Sequence, residues 1–379
     1  MRFLEIKLKH KSLHFGILIL TCSNSFQAQT LSNIKVPTFK LETSYVGDIV
    51  TNFNGGIKTG STYLGLLNIK AGITTENTTW WKGGNFFINV GNTHGGKPST
   101  TLVGDFQGVS NIEAGNLTFL YELWFKQKIG NFNLYFGLQD LNANFSTSVN
   151  GAVFTNSSFG IQSSIADNIP TPIFPLTALG GILQWKISDS FLCQTALFDG
   201  TPDDFETNPY NIHWKLSRQQ GFLSVTEFQI KKSLLSGKNA CYKFGIYYHQ
   251  HNDTIDNEQK NGGLYFVGDQ QLSDKISVFS QIGLSPKGLN KHNHYYSIGM
   301  NYTGISLGRP NDQLGVAIAY AGFDDNDIGS ETAIELTYKF QINKNIYVRP
   351  DLQYIINPVG TNKKLENALV GSVRFGLVI

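Results

Sequence analysis

Beyond the N-terminus, no apolar run in this chain approaches the roughly 18 residues that a membrane helix requires, yet short segments alternate apolar and polar residues again and again. A period of two sends successive side chains to opposite faces of an extended strand. Phe132, Leu134, Phe136 and Leu138 form one such face, and Asn131, Asn133, Tyr135, Gly137 and Gln139 form the other. Leu117, Phe119, Tyr121, Leu123 and Phe125 alternate with Thr118, Glu122, Trp124 and Lys126, and Ile334, Leu336, Tyr338 and Phe340 with Glu335, Thr337 and Lys339. The chain closes on Val373, Phe375, Leu377 and Ile379 around Arg374 and Gly376. Nothing sustains a 3.6-residue period, so the chain is all-β.

Charges recur on the second face, and the core of a soluble sandwich does not accept so many. Composition bears on which side faces water: charged residues make up 15%, against about 25% in soluble domains, while aromatics reach 13%. A barrel in lipid carries its apolar face outward around a polar, water-filled interior. The connections agree. Tight ones lie at residues 129–131, 187–191, 272–276 and 342–346, while long ones rich in Gly, Asn, Ser and Pro lie near 93–116, 143–175 and 199–219. Short periplasmic turns and long external loops are the asymmetry of a transmembrane antiparallel β-barrel. Counting back from 367–379 to 43–52 places about sixteen strands and both chain ends in the periplasm, and a barrel of that size encloses an aqueous channel.

Residues 1–28 read as a secretory leader: Arg2, Lys7, Lys9 and Lys11, an apolar stretch from Leu13 to Leu20, then small and polar residues to Ala28. Residues 29–379 are then the barrel domain. Removing the leader takes four Lys/Arg and one Glu and moves the formal charge from +2 to −1, which gives no electrostatic basis for binding nucleic acid. Cys193 and Cys241 remain, either as a pair or, the favoured reading, as free thiols in strands. The sequence holds no nucleotide-binding loop, zinc-protease motif or G-x-S-x-G elbow, so neither a cofactor nor catalysis is expected. The pairs His249/His251 and His292/His294 have a spacing that puts two rings on one strand face, as a metal site requires, but no further ligand has a fixed spacing to them. Surface-loop histidines are the plainer expectation.

Several stretches, in this order, resemble the OprB-type carbohydrate-selective porins of Gram-negative outer membranes. They are YVGDIVTNFNGGIKTGSTYLG from Tyr45, NTHGG from Asn92, VGDFQGVSNIEAG from Val103, LYELWFKQ from Leu120, GLQDLNANF from Gly137, NSSFGI from Asn156, FPLTALG from Phe174 and LFDGTPDD from Leu197. RPNDQLGVAIAY from Arg309 and the stretch from Glu331 to Pro358 resemble the family's C-terminal half. The resemblance implies a sixteen-stranded barrel in the outer membrane through which sugars diffuse passively; a general small-solute porin is the alternative. Single barrels and homo-oligomers both suit such a chain.

A sugar presents hydroxyls at its rim and C–H patches on its faces, so a selective pore needs hydrogen-bonding groups beside an aromatic plate. Glu122, Trp124 and Lys126 share the face opposite Leu123 and Phe125 and are the leading pore-lining candidates, with Gln139 on the polar face of its strand. Wall solvation and salt bridging are their other reading. The long loops are expected to fold inward and narrow the barrel. Asp105, Gln107, Asn111 and Glu113 in the first, and Asn156, Ser157 and Ser158 in the second, would then either line the constriction or tie the loops to the wall.

Overall fold

The computed structural model describes residues 37–252, 257–290, 292–324, 329–361 and 363–379; the expected leader lies outside the described residues. Alternation is expressed as strands nearly everywhere it occurs in the sequence. The first half holds β1 (Thr38–Gly56), β2 (Gly60–Thr74), β3 (Gly84–Gly95), β4 (Leu117–Ile129), β5 (Phe132–Gln139), β6 (Ala178–Lys186), β7 (Phe191–Asp199) and β8 (Phe222–Ile230). The second holds β9 (Ala240–Asn252), β10 (Glu258–Gln271), β11 (Ile276–Leu284), β12 (His292–Thr303), β13 (Gln313–Phe323), β14 (Ser330–Gln341), β15 (Ile346–Ile356) and β16 (Glu366–Val378). Each pairs antiparallel with its neighbours, and β1 pairs with β16 to close the barrel. Closure leaves no unpaired edge, which a strand in lipid cannot tolerate.

Outward residues are apolar and exposed, and inward ones are polar. On β14, Ile334, Leu336 and Phe340 are exposed while Glu335 and Thr337 are buried inside; on β16, Val373 and Phe375 face out and Arg374 faces in. Aromatic side chains gather at both rims, as interfacial girdles do. Phe132 stacks on Trp185 at the short-turn end, and Tyr296 stacks on Tyr320 at the other. Cys193 lies on the outer face of β7 and Cys241 on the inner face of β9, so the wall separates two free thiols.

Three local features depart from the simple alternation. A bulge in β4 opposite Asn89 and Val90 shifts the phase, so Phe119 faces inward over Gly91 instead of sharing the outer face with Leu123. The extra residue of a bulge reverses every side chain beyond it. Leu138 keeps the outer side through its pairing with Leu123 and Leu179, yet it is only 1% exposed. At that rim the backbone of Tyr210 accepts from Leu120, and Asn211 donates to the Leu120 carbonyl and to Thr177. Third, the connections 75–83, 231–239 and 304–312 on the short-turn side run to nine residues each.

The interior is not simply water-filled. The connections 96–116 and 140–177 fold inward and bring their own apolar side chains. Leu102, Val103 and Val109 of the first and Phe154 and Phe159 of the second pack against Phe279, Tyr295 and Ile355 of the wall. Phe145, Ile161 and Ile165 pack against Leu223, Val225 and Val267. Inward Ala317, Ala319, Ala321 and Ala333 are all buried; their small volume leaves room for the loops.

Candidate functional site

Wall carboxylates hold the two inward loops by their backbone amides. Glu331 accepts from Phe106 N at 2.7 Å and Gln107 N at 2.9 Å, and also from Val359 N at 3.0 Å. Glu335 accepts from Thr155 N at 2.6 Å, Asn156 N at 3.0 Å and Thr155 Oγ1 at 3.1 Å. Asp269 takes Asn150 N and Ser148 Oγ, and Glu227 takes Ser146 N together with Tyr265 Oη. Each charge-assisted bond of this kind contributes about 1.5–3 kcal/mol, and several converge on each acid. The loops reach from β6 and β7, where Gln184 and Gln194 donate to Asn144, round to β1, where Ser110 donates to Asp48.

Against that frame the expected site residues divide into two groups. Gln107 donates through its backbone and side chain to Glu331, and Asn156 donates to Glu335 and, through Nδ2, to Gln353 Oε1 at 3.1 Å. Glu113 accepts from Ser99 N at 3.0 Å within its own loop, and Gln139 donates to the Gly180 carbonyl at 3.0 Å. Asn111 donates its backbone N–H to Thr155 O at 2.8 Å, linking the two loops, and Ser157 N donates to Gly108 O at 2.8 Å, while Asn156 Oδ1 accepts from Ser158 N and Oγ as a local cap. Asp105 is 7% exposed, and neither of its oxygens has a partner. Burial, reinforced by Glu331 and Glu113, raises the pKa of its carboxyl, which disfavours a charge there. Apart from Asp105, and Gln139 within the wall itself, these residues tie the loops to the wall, to each other or to themselves.

Glu122, Trp124 and Lys126 stand on the inner face of β4, which the loops leave uncovered. Trp124 stacks on Phe87 with ring centroids 4.8 Å apart, and its Nε1 donates to Glu122 Oε1 at 3.1 Å. Lys126 Nζ lies 5.6 Å from the Tyr135 ring centroid. Opposite Trp124, Gly137 has φ +133°, and a Cβ there would meet the Leu123 carbonyl at 2.2 Å, so only glycine permits this approach of β5 to β4. Lys70 pairs with Glu42 at 3.0 Å beside the same plate. Lys40, Glu42, Lys70, Phe87 and Trp124 line a cavity of about 330 Å³ toward the short-turn end. Phe87, Lys70 and Glu42 escaped the sequence reading; the signal was Phe87 itself, an aromatic on the polar phase of NFFINV. At the long-loop end a cavity of about 840 Å³ opens between Phe106, Asn168, Phe323, Val359 and Lys363.

The histidine pairs are not loop residues. His292 is buried inside, between Ser163 Oγ at 2.9 Å and the Gly322 carbonyl at 2.9 Å, and a bulge at Asn293 puts His294 on the outer phase. His249 is buried and contacts the Gly200 carbonyl at 2.8 Å, with the His251 ring 4.8 Å away. Their work is to fasten connections to strand ends.

Residues 58–378 match the family described as carbohydrate-selective porin, OprB family. Porin B of Pseudomonas aeruginosa is 25% identical over 409 residues, spanning 90% of this chain and 87% of that protein. The high-pH structure of Pseudomonas putida OprB superposes with a TM-score of 0.80 at 21% identity, covering 90% of this chain and 94% of the other. The outer-membrane channel DcaP of Acinetobacter baumannii shares the barrel at a TM-score of 0.56 and 11% identity, covering 90% of this chain and 97% of the other. With the match extending over most of the barrel, from the β1–β2 turn to the last residue of β16, this chain belongs to the OprB family of carbohydrate-selective porins.

Proposed function

We propose that this outer-membrane porin passes sugars by passive diffusion along the inner wall around β4, where Glu122, Trp124 and Lys126 make the contacts that select them. The observation that carries the reading is the Trp124–Phe87 plate flanked by Glu122, Lys126 and the Lys70–Glu42 pair. Such a plate suits the C–H face of a pyranose, and the flanking charges suit its hydroxyls. Contacts of this strength let the solute leave again, as conduction requires. No step of this passage calls for catalysis, and we assign none. The barrel is complete in one chain, so any homo-oligomer is an assembly of whole channels.

Planar-bilayer conductance with a panel of mono- and oligosaccharides tests the reading: sugars should block ion current in a concentration-dependent way. Equal indifference to every sugar would make this a general small-solute porin. In Trp124→Ala the half-blocking concentration of the preferred sugar should rise about fivefold, as expected for losing roughly 1 kcal/mol of ring contact. Unchanged block would remove Trp124 from the site. Residues 1–28 are assigned as a leader removed on export, so N-terminal sequencing of the membrane-extracted protein should begin at Gln29; a start at Met1 would refute the assignment.

A further inference from the structure

The cavity of about 840 Å³ at the long-loop end is walled by both inward loops, by the first residue of β12 and the last of β13, and by the connection after β15. Phe106 and Phe323 line it with rings that are only half-buried. Covering such rings with the apolar patch of a solute is favourable. The two rings are also fixed in place. They meet edge to face with centroids 4.9 Å apart, and each lies 5.4 Å from the buried His292 ring, whose nitrogens are 2.9 Å from Ser163 Oγ and from the Gly322 carbonyl. Glu331 takes the Phe106 and Val359 amides, and Gly360 N donates to Gly104 O at 2.8 Å, so the first loop and the β15–β16 connection are fastened to each other. A solute therefore meets a surface that is already formed, with little ordering left to oppose binding.

Polar groups of both signs face the same space. Asp167, Lys363 and Lys364 line it and are exposed, and among the described residues none of these three side chains has a hydrogen-bond or ion-pair partner. The protein around Asp167, with Glu331 adding to it, raises the pKa of that carboxyl. A hydroxyl suits it in either protonation state, because it donates to the carboxylate and accepts from the acid. The two ammoniums stand where salt screens them, so they act as hydrogen-bond donors more than as a field that gathers anions. An uncharged polyol with an apolar face matches rings, acceptor and donors together. Room is ample: about 840 Å³, against about 330 Å³ beside Trp124.

We propose that this mouth is an outer subsite for a neutral disaccharide, whose C–H face covers Phe106 and Phe323 while its hydroxyls meet Asp167, Lys363 and Lys364. The subsite presupposes the sugar passage, but it lies at the opposite end of the barrel from the Trp124 plate. A sugar arriving from outside is held here first and at Trp124 second.

The test is planar-bilayer block of the full mature protein by maltose and by glucose. Maltose should block at the lower concentration. In Phe106→Ala the half-blocking concentration of maltose should rise about fivefold, the effect of losing a ring contact, and in Asp167→Ala about tenfold, the effect of losing a charge-assisted bond, with glucose moving less in both. The exposed Asp167 side chain ties nothing to the wall, so Asp167→Ala will assemble even if Phe106→Ala does not. Maltose block unchanged in the variants that assemble would overturn the proposal, as would equal block by acetate. Block by glucose alone, still weakened by Trp124→Ala, would overturn this subsite and leave the sugar channel standing; block by neither sugar would overturn both.

Discussion

Replacing Glu335 by alanine is expected to widen the channel: single-channel conductance rises, and block by the preferred sugar weakens about tenfold. Glu335 is wholly buried and accepts both backbone amides at Thr155 and Asn156, so alanine leaves those buried donors without their acceptor. Each stranded buried donor costs about 1–3 kcal/mol. The segment 140–177 regains water for its amides only by leaving the wall, and the cross-section it filled becomes open. Glu335→Gln retains one carbonyl oxygen and should fall between the two. Conductance and block both at wild-type values in the alanine variant would show that other anchors, such as Asp269 and Glu227, hold the loop without Glu335.

Asp48→Ala is expected to lower the stability of the assembled barrel by about 3–5 kcal/mol, the usual result of removing one member of a buried ion pair. Asp48 and Arg374 are 1% and 4% exposed, and their bidentate contact is what keeps Arg374 and the adjacent Arg349 from being two uncompensated charges side by side. Asp48 also accepts from Ser110 Oγ at 2.7 Å, so the same substitution loosens the first inward loop. Thermal unfolding in detergent, followed by the heat-dependent shift of the folded band on a gel, reads out the loss. The double substitution Asp48→Ala/Arg374→Met should recover much of it, because an apolar replacement of both partners is often neutral. A single variant that melts with the wild type would mean that the pair contributes nothing net.

The barrel was legible because its rule is local. A strand between lipid and an aqueous interior must alternate, and Ile334 to Phe340 or Val373 to Leu377 obey that rule residue by residue without reference to any other strand. The exceptions were illegible for the same reason. The bulge that turns Phe119 inward is a matter of pairing with β3, and Leu138 loses its exposure at a rim where a distant connection meets β4. Glu122, Trp124 and Lys126 could be placed on the inner face by period alone. Asp105, Gln107, Glu113 and Gln139 could not be assigned a task, because whether a polar side chain meets water or a backbone amide depends on what packs over it. One signal was present: Ala317, Ala319 and Ala321 occupy inward positions where a wet wall would carry polar groups.

Hydropathy at a spacing of two, together with the lengths of the connections, was enough to determine strand number, closure, the sense of inside and outside, and the membrane as surroundings. Those properties follow from the cost of exposing a backbone amide or a charge to lipid, which every residue meets by itself. Tertiary structure alone decided which part of the wall stays open and which carboxylates are spent on anchoring. Glu331 meets Gln107 across more than two hundred residues, and no local pattern encodes a hydrogen bond whose partner is chosen by the folding of a loop.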